Sequence, residues 1–239
     1  METDWRNLAE RLSATLQPTV PPIAITFSAA PPPGVDRFDD PFPPPAPDGR
    51  TGRVSAGCVF WTRATDRTFT TVPEDHGNCS VGSLTHGLVP LERVEGRADV
   101  EALVASQWAP ADALSSLPVV SGYPGAVTYG PLAETPVEPD VVLVRLTARW
   151  LMTLFDAVPD LRVEGKPQCH VLALAREYRE VAASVGCMVS RVRTGMASTE
   201  VSCAIPASRL AEVVESLERM GQADAAVAAY AEEDARRFR

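Results

Sequence analysis

Val141-Val142-Leu143-Val144-Arg145-Leu146 is the stretch that most restricts how this chain can fold. It is strand-length, bounded by Pro139-Asp140, and almost continuously apolar, which is the pattern of a strand covered on both faces. The segments around it alternate in character. Residues 4–16 read as an amphipathic helix on Trp5, Leu8, Leu12 and Leu16, ended by Pro18. Ile23 to Phe27, Arg67 to Val72, Ala126 to Tyr129 and Glu200 to Pro206 carry the β-prone residues of strands. Helices are expected from Gly57 to Ala64, Asp99 to Gln107, and Ala148 to Ala157, the last with Leu151, Leu154 and Phe155 inward. An Ala-rich helix is expected after His170 to about Ala183. Two more follow: Leu210 to Met220, stopped by Gly221, and Ala223 to about Arg236. The class is α/β (mixed α+β).

At 239 residues the chain suits one compact domain, 1–239, able to bury roughly 70 to 75 % of its unfolded surface without covalent staples. Residues 31–53, rich in Pro, Gly and Asp, read as a long loop, with a lid and a solvated insertion both open. A net charge of −9 argues against a nucleic-acid partner, because affinity for phosphate backbones rests on clustered Lys and Arg. No apolar run reaches the eighteen residues of a membrane span, and the N-terminus is acidic where a signal peptide is basic. The expectation is a cytoplasmic protein with a small-molecule substrate and no membrane partner; a homo-oligomer stays open.

Chemistry concentrates at the cysteines. Five is an odd number in a chain that needs no disulfide framework, so reduced thiols are expected. Cys58 and Cys79 form one pair, Cys169 and Cys187 another of similar spacing. In each pair the first member opens an apparent helix with Ala at its sixth following position, Ala64 or Ala175, and the second follows a glycine, Gly77 or Gly186. This shared plan makes residues 20–110 and 125–220 candidate similar halves, each offering two thiols to one centre. A thiol at a helix start faces the positive end of the macrodipole, which favours the thiolate. Four thiolates suffice for an iron–sulfur cluster, [4Fe–4S] above all, or for zinc, although no C-x-x-C knuckle is present. Cys203, in an alternating strand, reads as core.

The chain has three histidines, and all lie near these cysteines: His76 and His86 flank Cys79, and His170 adjoins Cys169. Each is a candidate ligand, acid–base group or orienting group, against an ordinary turn or helix-end reading. Cys79 as a nucleophile with His76 or His86 as its base is the rival chemistry, and a non-catalytic zinc or small-molecule module is another. Arg191 and Arg193 could bind a substrate carboxylate or serve as surface ion-pair partners. Cys79-Ser80-Val81-Gly82 could offer amides to an anion. The signatures of P-loops, dinucleotide folds and serine hydrolases are missing.

With Pro22 to Phe27, Cys58 to Ala64, Cys79-Ser80-Val81-Gly82 through Leu88, Tyr129 to Leu132, Pro139 to Leu143, Cys169, Gly186-Cys187 with Ser190-Arg191, and Glu200 to Pro206, the chain resembles domain-of-unknown-function family 169. The match spans roughly Leu8 to Leu217. The resemblance implies no settled activity, but it does imply cysteines near these four positions. That favours a metal or iron–sulfur centre at Cys58, Cys79, Cys169 and Cys187, with redox or Lewis-acid chemistry on a small molecule.

Overall fold

The computed structural model describes residues 3–39, 57–77 and 79–238, so residues 40–53 of the Pro-rich stretch lie outside the described residues. A seven-stranded sheet runs through the molecule in the order β2-β3-β1-β4-β7-β6-β5. Its strands are β1 (Ile23–Ser28), β2 (Phe69–Thr71), β3 (Ala126–Pro131), β4 (Val141–Thr147), β5 (Arg162–Glu164), β6 (Ala182–Ser184) and β7 (Glu200–Pro206). Only the β5–β6 pair is parallel. The apolar run that opened the sequence argument is β4, central and paired on both sides.

Helices cover both faces. On one, α1 (Trp5–Leu16), α5 (Ala148–Ala157) and α8 (Leu210–Ala235) pack Leu8, Leu12, Leu16, Leu154, Val213 and Leu217 onto Ala24, Val142, Val144 and Cys203 of the strands. On the other, α2 (Cys58–Arg63), α3 (Ser80–Thr85) and α6 (Val171–Tyr178) pack Phe60, Trp61, Val81 and Leu172 onto Ile23, Ile25, Val141 and Leu143. α7 (Met188–Thr194) lies against α2, and α4 (Ala98–Ala105) against α3. Alternate residues of β1 and β4 therefore go to different cores, as the two-residue period of a strand requires. Each fully buried Leu or Ile contributes about 1.5–3 kcal/mol, so the two apolar layers dominate the stability of the sheet.

The strand order reads the same outward from the middle: β1, β3, β2 one way and β4, β7, β6 the other, with β5 added at one edge. β1 and β4 meet antiparallel through Ile23↔Leu143, Ala24↔Val142 and Ile25↔Val141, a register symmetric about the Ala24/Val142 pair. The correspondence extends outward. Pro131 pairs with Ile23 as Pro206 pairs with Val141, and Thr71 pairs with Val127 as Ser184 pairs with Ser202. Past the prolines, Leu132 N donates to Pro22 O at 2.8 Å and Ala207 N to Asp140 O at 3.0 Å, and both segments enter a 3-10 turn. β3 thus groups with β1 and β2, which puts the dividing point between β3 and β4, after the residues 110–125 that separate the sequence-drawn halves.

Several elements differ from the sequence reading. The Ala-rich helix ends at Tyr178, where Arg179 turns left-handed at φ 58°, and Ala182-Ala183-Ser184 is strand β6. α8 is one helix of 26 residues running through Gly221, where two helices were expected. In α5, Phe155 faces solvent and Thr153 is buried, because the Thr153 hydroxyl donates to Asp224 of α8 at 2.7 Å. Phe38, within the described part of the Pro-rich stretch, is buried edge-on against Phe60, so this portion is anchored and not solvated throughout.

Candidate thiol site

Cys58, Cys79, Cys169 and Cys187 line one cavity of about 360 Å³. The symmetric sheet brings them there. β2 and β6 occupy corresponding places, and each leads to a short helix whose N-cap is a cysteine: Cys79 for α3 and Cys187 for α7, both with extended backbone. Cys58 is the first residue of α2, and Cys169 lies in the 3-10 turn that enters α6. α2 packs on α7 and the Cys169 turn packs on α3, so each half's leading cysteine meets the other half's capping helix. Ser190 of α7 favours the thiolate of Cys58, and Thr85 of α3 that of Cys169.

Burial governs the charge state of Cys58, Cys79 and Cys169. Cys58 is pushed up to about 11 by desolvation, with the neighbouring Cys79 adding to the shift and Ser190 and Arg193 opposing it. Cys169 is raised well above its ordinary value by burial and by Cys79, Cys58 and Cys187, against Thr85. Cys79 is raised by burial; Arg193 and the Gly82 amide, which donates to Sγ at 3.4 Å, oppose this. At Cys58, Cys79 and Cys169 the helix-start argument for ready thiolates is therefore outweighed, because loss of water costs a charge more than the end of a short helix returns. The thiols interact with one another, yet among the described residues no three His, Cys, Asp or Glu side chains form a group ready to hold a metal ion. They ring a space.

The remaining lining is largely apolar, with Val81, Ala98, Ala102, Leu103, Trp108, Pro167 and Val189 joining Asp99, Gln168, Ser190 and Arg193. Val81, Leu103, Trp108 and Pro167 also line a second cavity of about 180 Å³. Lys166 fixes the tryptophan between them: its Nζ donates to the Trp108 carbonyl and stands 4.1 Å from the ring centroid. Asp99 receives Ser80 N at 2.8 Å and Ser80 Oγ at 2.6 Å. The amide expected to welcome an external anion at the start of α3 is occupied by this carboxylate.

The other candidate residues stand outside the cavity lining. His86 is fully buried at the end of α3, and its Nδ1 donates to Gly82 O at 2.8 Å, which fixes the tautomer. Burial lowers its pKa to about 4 despite that carbonyl. The ring lies against Gly57, where an added Cβ would come 2.6 Å from Cε1 and φ is 56°. His86 thus shapes the entry into α2 and Cys58. His76, also buried and held well below its usual pKa by burial and by His86, has Nε2 2.9 Å from Thr71 Oγ1. His170 lies 3.6 Å from Glu164. Arg191 donates to the carbonyls of Val185 at 2.9 Å, Glu200 at 2.7 Å and Ala197, organising the turn before Cys187. Gly186 lets that guanidinium pass, since a Cβ there would meet Nη2 at 2.7 Å. Of the two arginines after Cys187, Arg193 is the one at the cavity. Cys203 is fully buried on the opposite face.

Trp108, Asp99, Thr85 and Ser190 carry no signal in the sequence beyond their neighbourhoods; only the sheet order brings them to the thiols. No curated protein and no solved structure matches the chain. The model of domain-of-unknown-function family 169, described as an uncharacterised ArCR, matches residues 11–216, and the chain belongs to this family.

Proposed function

We propose that the protein binds an iron–sulfur cluster, [4Fe–4S] in the leading form, through Cys58, Cys79, Cys169 and Cys187. The observation that carries this reading is the convergence of four thiols, two from each half, on one cavity of about 360 Å³. A lone zinc would need its sulfurs drawn to about 3.8 Å apart, given bonds near 2.3 Å in a tetrahedron. A cluster with iron at each corner takes thiolates set farther apart around a larger body, for which four thiols lining one cavity are the donor set. When bound, such a group supplies one-electron transfer or, at an iron with an open position, Lewis-acid chemistry. The chain's own contribution is to exclude water with Val81, Leu103 and Val189, to favour the thiolates of Cys58 and Cys169 through Ser190 and Thr85, and to leave apolar room by Trp108 for a small molecule.

Anaerobic purification or reconstitution, followed by visible absorbance and iron and sulfide analysis, tests the proposal. About four irons per chain are expected, lost or sharply reduced in Cys58→Ser, Cys79→Ser, Cys169→Ser and Cys187→Ser, and retained in Cys203→Ala. A colourless wild type after reconstitution, or stoichiometric zinc with no iron uptake, sinks it. The geometry lends no support to a Cys79–histidine dyad, because neither His76 nor His86 lines the cavity.

A further inference from the structure

The cavity is uneven in charge. Among the described residues its lining contains four thiols, one carboxylate and one guanidinium, that of Arg193 in the last turn of α7. The carboxylate, Asp99, is taken up by Ser80. Arg193 lines the cavity together with the four cysteines, and its charge favours the thiolates of Cys79 and Cys58. Thr85 of the first half's capping helix, a neutral hydroxyl, favours the thiolate of Cys169.

Like charges gathered in a space poor in water repel, and a fixed cation beside them offsets that repulsion. We propose that Arg193 is the positioning residue that compensates the thiolate charge of this centre and raises the reduction potential of the group it holds, an inference that rests on the cluster reading above. The direction follows from charge. Reduction adds one electron, hence one negative charge, and a neighbouring guanidinium stabilises the reduced form more than the oxidised one. Burial sharpens the effect, since screening by water and salt is weaker there than at the surface.

The test is a redox titration of the reconstituted protein followed by visible absorbance, on wild type, Arg193→Gln and Arg193→Lys. An Arg219→Gln variant, which removes an exposed charge from α8 on the opposite face, is the control. Arg193→Gln should lower the ratio of reduced to oxidised centre about tenfold at fixed potential, about 59 mV for a one-electron couple. Arg193→Lys should restore most of that shift and Arg219→Gln should show none. If Arg193→Gln folds by circular dichroism but fails to take up iron while Arg193→Lys loads, charge compensation is again supported. Equal potentials in wild type and Arg193→Gln overturn the role of Arg193 and leave the cluster reading standing. Equal loss of iron in both Arg193 variants makes the role one of shape and overturns it too. A wild type that takes up no iron overturns both.

Discussion

Residues that never touch the cavity fix where its thiols point. His86 is the clearest: its protonated Nδ1 closes on Gly82 O, and its ring fills the space that Gly57 leaves open one residue before Cys58. A buried neutral histidine couples this corner to pH. In the unfolded chain His86 takes a proton near its ordinary 6.5, whereas the folded protein resists protonation until about 4. The stability this contributes is complete above about pH 6.5 and is lost as pH falls toward 4, by up to roughly 3 kcal/mol. The denaturation midpoint of the reduced, metal-free protein should therefore fall between pH 7 and pH 4.5, and His86→Asn, though less stable throughout, should fall less. A variant with the full wild-type slope would remove His86 as the source. That these four cysteines belong together was legible from their paired spacing and their places at helix starts, and the structure puts all four in one cavity lining. The division of labour between Arg191 and Arg193 was not legible: two positions along α7 take one guanidinium to three backbone carbonyls and the other to the cavity.

At the scale of elements, the misread segments are those where local preference and tertiary context disagree. Ala182 and Ala183 favour a helix in isolation, yet both are fully buried between β7 and β5, and the small side chains fit a strand covered closely on each face. The left-handed residue that ends α6 is Arg179, so no glycine or proline announces the stop. α8 shows the reverse. Gly221 resembles a helix stop, but the helix continues to Ala235 without a break, and Thr153 and Arg149 of α5 hold Asp224 just beyond the glycine. A glycine inside a continuous helix costs about 0.5–1 kcal/mol against alanine, and a Cβ at Gly221 meets nothing within 4 Å. Gly221→Ala should accordingly raise stability by about that amount in chemical denaturation. A loss would mean that the glycine ends one helix in a left-handed turn, as the sequence alone implied.

For the whole molecule, what matters is that the thiol site belongs to neither half. The central β1–β4 pairing sets the two halves antiparallel about Ala24 and Val142, and the contacts of α2 with α7 and of the Cys169 turn with α3 cross the line between them. The paired cysteine spacings hinted at this plan, but strand order could not be read from local pattern, because β1, ending at Ser28, joins β3, beginning at Ala126, far along the chain. A group held by all four thiols would bind the folded arrangement and not the unfolded chain, and so would stabilise every contact the arrangement depends on. Hydrogen exchange compared between the loaded and unloaded protein reads this directly. Loading should slow exchange together in α2, α3, the turn at Cys169 and α7, with smaller changes in α1 and α5 on the other face, since openings that expose the site must separate the two halves. Slowing confined to α2 and α3, or to α6 and α7, would mean that one pair of cysteines binds alone. The four sulfurs would then line a common wall without acting as one centre.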